Sequence, residues 1–182
     1  HNGRRRQRQM CIRDRSHWQP STLNMHAALA VRAALLRQLP ASQSEGSIQV
    51  KWPNDVLIWH AGMHRKVAGI LVENVWRGSQ WSVAIIGVGI NARSNRLTRS
   101  YPAVSLSEAW HQDLSPDELA MSVGHELMRP LKPGPEILVA YHHALFGLND
   151  QRTFLVHERP WLGSFLGLSL IHISEPTRQS LI

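Results

Sequence analysis

Between residues 48 and 90 the chain alternates apolar runs with short turns, and this pattern constrains its fold more than any other feature. The runs cover residues 48–52, 56–59, 66–76 and 81–90. The intervening stretches, 53–55, 60–64 and 77–80, contain the proline, asparagine, aspartate and glycine residues that are common in tight turns. Strands that follow one another through such short turns pair antiparallel. We therefore expect a four-stranded antiparallel meander.

Helical patterns flank this meander on both sides. Residues 22–39 are rich in alanine and leucine, with Ser21 as the expected cap and Pro40 as the stop. Cap signals also predict helices over 105–111 and from 115 to about 128, and a further helix is expected over 133–145. The order of elements indicates an α+β domain, in which flanking helices cover a mixed, largely antiparallel sheet.

Composition favours a soluble domain and argues against a membrane-spanning or disulfide-stabilised protein. The 182 residues are 43% hydrophobic, and no apolar run reaches the roughly 18 residues of a membrane span. The single cysteine, Cys11, excludes an intrachain disulfide and a cysteine-based zinc site, so a cytoplasmic location is expected. Of the net charge of +7, residues 1–15 contribute +5 and residues 16–167 only +2. A nucleic-acid surface would therefore depend on the first few residues.

Two short segments look like translated sequencing adapter. Residues 10–14 can be encoded by the reverse complement of a DNA string that can encode residues 168–173, and 174–178 continue the same adapter. We interpret them as foreign to a natural fragment at about 16–167, and they are left out of the fold argument.

The turns and strand ends of the meander carry polar side chains suited to an anionic ligand. Lys66 is expected to begin a strand directly after a turn, at the mouth of a pocket. Asn54 and Asp55 offer the hard oxygen atoms that Mg²⁺ prefers. Asn91 ends the last strand with an amide able to reach a phosphate or a hydrated Mg²⁺.

Glycines in the same strands leave the backbone open. Gly69 follows Lys66 by three positions, and Gly87 and Gly89 flank Val88. A glycine inside a strand costs stability, so close approach of a ligand is a reason to keep one. Each feature alone is more often a turn, a bulge or a packing accommodation. Together they suit the joining of a carboxylate to the α-phosphate of ATP, two anions that must be neutralised to meet.

Three strings carry a resemblance to a known family. Lys51-Trp-Pro-Asn-Asp55, Lys66-Val-Ala-Gly-Ile-Leu-Val-Glu73 and Gly87-Val-Gly-Ile-Asn91 closely resemble the catalytic domain of biotin–protein ligases, over about residues 20–160. The resemblance implies the fold shared by class II aminoacyl-tRNA synthetases and biotin ligases. It implies that biotin and MgATP form biotinoyl-5′-AMP, and that a lysine of the biotin carboxyl carrier protein of acetyl-CoA carboxylase then accepts biotin.

The resemblance also implies the site residues. Lys66 is the expected catalytic lysine and contacts the biotin carboxylate, and Gly69 and Gly87 line the biotin pocket. Asn54, Asp55 and Asn91 are expected to bind ATP, and Asp55 and Asn91 its Mg²⁺. Arg4, Arg5 and Arg6 correspond to the family's glycine- and arginine-rich loop over biotin, although Arg5 and Arg8 stand where that loop has glycines.

The family comparison divides the chain into four parts. Residues 1–15 hold the altered arginine loop and an adapter-like segment, and 16–150 form a partial catalytic domain. Residues 151–167 are expected to open a C-terminal β-barrel, and 168–182 are the adapter-like tail. The family's biotin-binding segment before the arginine loop, and the strands after it, have no counterpart in the sequence.

Other interpretations stay open at this point. A lipoate–protein ligase would carry an Arg-Arg-x-Ser-Gly-Gly-Gly string, which the sequence does not contain. The parent of the chain could be a biotin-responsive repressor, which would bind DNA only through a helix-turn-helix. The chain could also be an inactive chimeric fragment. A homodimer is compatible with each of these, and no membrane partner is expected.

Overall fold

A computed structural model of the chain describes residues 8–12, 19–93, 102–130, 134–156 and 159–168. The strands are β1 (Arg8–Ile12), β2 (Ile48–Lys51), β3 (Asp55–His60), β4 (Met63–Arg77), β5 (Gln80–Ile90), β6 (Gln151–Val156) and β7 (Arg159–Ser164). The helices are α1 (Pro20–Leu36), α2 (Leu106–Trp110), α3 (Pro116–Met128) and α4 (Pro135–Ala144).

The predicted meander is present and supplies four strands, β2 to β5, of a five-stranded sheet. The strand order is β1-β5-β4-β3-β2, and every neighbouring pair is antiparallel. Strand β1 overlaps the adapter-like residues 10–14 and occupies the edge beside β5. The α+β class, with an antiparallel sheet and flanking helices, is confirmed.

Helix α1 covers one face of this sheet and forms the centre of the core. Three of its alanines, Ala27, Ala28 and Ala34, are fully buried. Small side chains let the helix approach the strands closely, and Ile48, Val56 and Ile58 fill the space beneath it. The predicted bounds of this helix were wrong at both ends.

The ends of α1 differ from the prediction for local reasons. Gln19 is the residue before the first turn, Pro20 takes the first helical position, and Ser21 lies within the helix. Proline suits that position because its missing N–H would have no intrahelical partner there. The helix ends before Arg37, three residues short of the predicted end at residue 39.

The caps predicted for the later helices are confirmed. Ser105 Oγ accepts a hydrogen bond from the Glu108 backbone N–H at 3.2 Å at the start of α2. Ser115 Oγ accepts one from Glu118 N–H at 3.4 Å at the start of α3. Each cap satisfies one of the N–H groups that the first turn of a helix leaves without a partner.

Strands β6 and β7 form a separate two-stranded sheet at the end of the described chain. An aromatic cluster joins its start to the β3–β4 hairpin. The Arg152 guanidinium lies 4.2 Å from the centre of the Phe146 ring, and His64 meets the same ring edge-on at 4.8 Å between ring centres. Burial, followed by the nearby charge of Arg152, lowers the pKa of His64.

Within the described residues, the helices are too short or too polar for any of them to cross a membrane.

A buried carboxylate ties α1 to α3. Glu126 is only 5% exposed, and its carboxylate accepts hydrogen bonds from Arg37 at 2.7 Å and from Arg129 at 3.3 Å. Burial by itself raises the pKa of Glu126, but the hydrogen bond from Arg37 and the two guanidinium charges outweigh it and hold the pKa below its ordinary value of 4.5.

We predict that Glu126 stabilises the fold above its ordinary pKa and loses this effect in acid. Because its pKa is depressed in the folded state, its contribution is complete above about pH 4.5 and disappears as the pH falls through the folded value. Urea unfolding should therefore show Glu126→Gln less stable than wild type at pH 7, with the difference narrowing below pH 4.5. Glu136→Gln, on the exposed face of α4, serves as the control. A gap that is constant with pH would contradict the assignment.

Candidate functional site

The face of the sheet opposite α1 carries the candidate site. Three residues stand in one row across three strands: Asp55 on β3 pairs with Gly69 on β4, which pairs with Gly89 on β5. Two glycines in a row leave the backbone of neighbouring strands without side-chain cover. The result is an open floor beside the Asp55 carboxylate.

A β-bulge in β4 determines which side chains reach this floor. Val56 pairs with Ala68 and Leu57 pairs with Lys66, so Val67 has no opposite residue on β3. In a regular strand Lys66 would share a face with Ala68 and Ile70, which are buried against the helices. The extra residue reverses this alternation. Lys66 therefore lies on the same face as Gly69.

The Lys66 side chain crosses the sheet above Gly69. Its Nζ is 2.5 Å from Asp55 Oδ1, and the two side chains are 33% and 22% exposed. A Cβ built on Gly69 would stand 3.2 Å from both Cε and Nζ of Lys66 and 3.7 Å from Asp55 Oδ1. The structure thus brings three of the predicted site residues into direct contact.

Residues 102–106 continue the sheet where β5 ends. The Lys66 backbone N–H donates to the Pro102 carbonyl at 2.9 Å, and the Lys66 carbonyl accepts from Val104 N–H at 3.0 Å. Asn91 lies at the point where β5 meets this segment. Its backbone N–H donates to the Val67 carbonyl at 2.8 Å, and its carbonyl accepts from Leu106 N–H at 2.8 Å.

The Asn91 side chain also faces this junction. Its Nδ2 lies 3.4 Å from the Lys66 carbonyl and 3.5 Å from that of Val104, both long for hydrogen bonds. The amide nitrogen is thereby oriented toward the protein. The amide of Asn91 is thus close in space to the Lys66 backbone.

The turn between β2 and β3 forms the other wall. Trp52, Pro53 and Asn54 make this turn, with a cis peptide bond between the first two. The Asn54 carbonyl accepts a hydrogen bond from the Ile70 N–H at 2.8 Å. Asn54 is half-buried beside Asp55, and Trp52 is 46% exposed at the rim.

Gly87 lies two residues before Gly89 on β5, outside the row of Asp55, Gly69 and Gly89. It is buried and pairs with Leu71 on one side and Gln9 on the other. Gly89 is the β5 glycine that stands beside Gly69. The strand pattern marks Gly89 as a place where a ligand could approach the backbone, but only the antiparallel register, which depends on the exact strand ends, assigns it to the row with Asp55 and Gly69.

One further prediction was wrong, and another concerns residues that the structure does not describe. Lys66 does not begin its strand, because β4 starts at Met63 and the hairpin turn is confined to Ala61 and Gly62. Arg4, Arg5 and Arg6 lie outside the described residues.

The arrangement can hold an anion but is not a preformed metal cluster. Over the part of the chain that the structure describes, no group of three or more histidine, cysteine, aspartate or glutamate side chains could bind a metal ion. The site offers the Lys66 ammonium group, the Asp55 carboxylate and the backbone of Gly69 and Gly89, and Lys51 on β2 pairs with Asp55 at the end of the same row. An anionic ligand lying over the glycines would meet the Lys66 ammonium directly.

Part of the chain is similar to known sequences. Residues 9–91 match the model of the Biotin/lipoate A/B protein ligase family. The bifunctional ligase/repressor BirA of Escherichia coli (strain K12) is 39% identical over 70 residues, which are 38% of this chain and 19% of that protein. BirA of Salmonella typhimurium is 39% identical over 67 residues, or 37% and 18%. The matched stretch thus spans about a fifth of these relatives.

Solved structures share the fold. Apo biotin protein ligase from Aquifex aeolicus superimposes with a TM-score of 0.68 at 22% identity, covering 90% of this chain and 71% of that one. The same protein in complex with biotin and ATP gives 0.66, covering 90% and 67%. Biotin protein ligase from Leishmania major in complex with biotinyl-5-AMP gives 0.53 at 18% identity, covering 88% and 74%. Residues 9–91 of this chain therefore match the biotin/lipoate A/B protein ligase family model, and the chain shares its fold with biotin protein ligases.

Proposed function

We propose that the chain belongs to a biotin–protein ligase. The enzyme would join the carboxylate of biotin to the α-phosphate of ATP, giving biotinoyl-5′-AMP and pyrophosphate. A lysine amine of a biotin carboxyl carrier protein would then attack the acyl carbon and release AMP. The observation that carries the proposal is the Lys66 ammonium held over the open backbone at Gly69.

The geometry gives Lys66 a role in both steps. A carboxylate and a triphosphate repel each other, and a fixed cation between them offsets that repulsion. Lys66 lies on a part-buried strand, so its charge is less screened by solvent than that of a surface lysine. The same ammonium would stabilise the negative charge on the departing AMP phosphate in the second step.

The residues around Lys66 would form two groups, one for each substrate. Biotin would lie toward Gly69 and Gly87, with Arg4, Arg5 and Arg6 supplying the loop over it. ATP would lie toward the turn and the strand end, against Asn54, Asp55 and Asn91. Support for the ATP side is that two of these residues lie next to Lys66: the Asp55 carboxylate contacts its ammonium, and Asn91 Nδ2 lies 3.4 Å from its backbone carbonyl.

Mg²⁺ fits this donor set. A carboxylate at Asp55 and an amide at Asn91 supply the hard oxygen atoms that Mg²⁺ accepts, and this ion usually takes only one or two protein ligands beside water and phosphate. When bound, it would neutralise phosphate charge. Asp55 would then be shared between the ion and Lys66.

Biotin is proposed over lipoate because of the Lys51–Asp55 string. The matching family includes both kinds of ligase, so the family match leaves the choice open. The two curated relatives are named ligase/repressors. We propose the ligase role for this chain, in the cytoplasm, with DNA binding dependent on a helix-turn-helix elsewhere in its parent and a homodimer still open.

We predict that Lys66→Met abolishes most biotinoyl-AMP formation. Methionine keeps a long side chain but removes the ammonium, so turnover should fall by about 100-fold or more because charge stabilisation in the transition state is lost. Pyrophosphate release with biotin and MgATP measures this step. Lipoate replaces biotin in a parallel assay, and activity with lipoate alone would favour the alternative. Unchanged turnover in Lys66→Met would refute the assignment.

Gly89 provides a test of whether the floor is open for a ligand. A Cβ there would meet only the Gly69 carbonyl oxygen, at 3.9 Å. We predict that Gly89→Ala is neutral or stabilises the fold by up to about 1 kcal/mol, because glycine in a strand is entropically costly. Gly89→Val should remain folded yet weaken biotin or ATP binding in calorimetry. If Gly89→Ala unfolds the protein, the glycine serves packing instead.

We also propose that residues 10–14 and 168–178 derive from adapter DNA. Support comes from the complementary coding of the two segments. Resequencing the source DNA without that adapter should show no codons for either segment, and finding those codons in the genome would reject the proposal.

A further inference from the structure

We propose that Asp55 is a positioning residue for Lys66, and that Gly69 opens the path along which the two side chains meet. This inference rests on the proposed function but assigns Asp55 a task separate from binding ATP or its metal. The task is to fix the Lys66 ammonium over the floor before substrates arrive.

The register of the strands makes this contact a diagonal one. Asp55 is the first residue of β3 and pairs with Gly69, whereas Lys66 pairs with Leu57, two residues further along β3. The bulge at Val67 turns Lys66 to the face of Asp55. The lysine side chain must therefore extend forward along β4, toward Gly69, to bring its Nζ to 2.5 Å from Asp55 Oδ1.

Gly69 lies directly below that path. The 3.2 Å separation between a Cβ at this position and both Cε and Nζ of Lys66 is tighter than most real Cβ contacts. An alanine would push the end of the lysine upward by a few tenths of an ångström and away from the carboxylate. Gly89, on the next strand, has no such neighbour.

Two anchors then hold Lys66. Its backbone is fixed by the hydrogen bonds with Pro102 and Val104, and its ammonium by the ion pair with Asp55. A free lysine side chain has many rotamers, and fixing it during the reaction costs entropy. Because the ion pair fixes it in advance, less of that cost falls on substrate binding.

An ammonium group suits this arrangement. It carries three donors, so an ion pair with one carboxylate oxygen does not exhaust its capacity. The biotin carboxylate and an ATP phosphate oxygen are chemically similar to the Asp55 carboxylate. They can approach the same nitrogen from the open side of the floor, opposite the backbone of Gly69.

The contact can be observed without any activity. Lysine-selective NMR of the full unliganded chain should show a slowly exchanging Lys66 ammonium signal, identified by its loss in Lys66→Met. We expect Asp55→Asn and Gly69→Ala each to broaden or remove this signal while the backbone spectrum stays folded. The matched controls are Asp150→Asn, which removes the exposed Asp150–Arg152 ion pair, and Gly46→Ala, which has open space.

Several outcomes would overturn the proposal. One is a wild-type spectrum that lacks the Lys66 signal. Another is a signal that survives in whichever of the two variants folds. Since the two substitutions lie on different strands, failure of one to fold leaves the other, and the wild-type measurement decides even if both fail.

Activity then tests whether the position matters for adenylation. Asp55→Asn and Gly69→Ala should each lower kcat for biotinoyl-AMP formation by about tenfold, with a smaller change in KM for ATP, because orientation rather than binding is lost. Added to Lys66→Met, Gly69→Ala should not lower kcat further, because the position of the ammonium no longer matters. In the same background, Asp55→Asn should retain only the loss that comes from its contact with ATP and Mg²⁺, and raised Mg²⁺ should reverse that loss.

The two proposals fail in different ways. Wild-type protein that makes no biotinoyl-AMP refutes the proposed function, while the NMR signal still decides whether Asp55 positions Lys66. Normal wild-type activity, with a Gly69→Ala loss that is additive to Lys66→Met and an Asp55→Asn loss that raised Mg²⁺ fully reverses, refutes the positioning role and leaves the ligase function intact.

Discussion

The bulge at Val67 is the constraint on which the candidate site depends. Side chains in a strand alternate between two faces, and here one face is packed against α1 while the other is open. Without the extra residue, Lys66 would point with Ala68 and Ile70 into the core, where an unpaired ammonium is costly. One unpaired residue in β4 therefore determines whether Lys66 faces the core or the open side of the sheet.

The rest of the fold secures that bulge from both sides. Val67 itself is fully buried, and its carbonyl accepts the Asn91 N–H at the end of β5. Beyond that point the segment with Pro102 and Val104 takes over the place of β5 and binds both backbone groups of Lys66. The backbone groups that the bulge leaves without a partner on the neighbouring strand therefore form hydrogen bonds with residues outside the four-stranded meander.

The sequence predicted the elements well because their signals are local. The turns set the strand boundaries to within a few residues, and Ser105 and Ser115 marked the starts of α2 and α3 by their capping chemistry. The end of α1 was less predictable because residues 37–39 keep helical composition, and the polypeptide turns there without a strong signal. Helix ends depend on tertiary packing as well as on propensity.

The site was predictable only in part. Its residue types follow from the motifs, but the contact between Lys66 and Asp55 depends on a register that composition does not encode. A regular pairing would have kept the two residues on opposite faces, and nothing in the sequence identifies Val67 as the unpaired residue. For the same reason the place of Gly89 beside Gly69 was not predictable, since it depends on the exact length of the β4–β5 hairpin.

Charge and openness are linked in this site. A glycine floor alone would admit many ligands, and a lysine alone would sample solvent. Because the shortest path from Lys66 to Asp55 runs over Gly69, the position that is open to a ligand is also the one where the ammonium is held. The position of the positive charge and the opening above the backbone therefore both depend on the absence of a side chain at position 69. A side chain there would displace the Lys66 ammonium and cover the backbone.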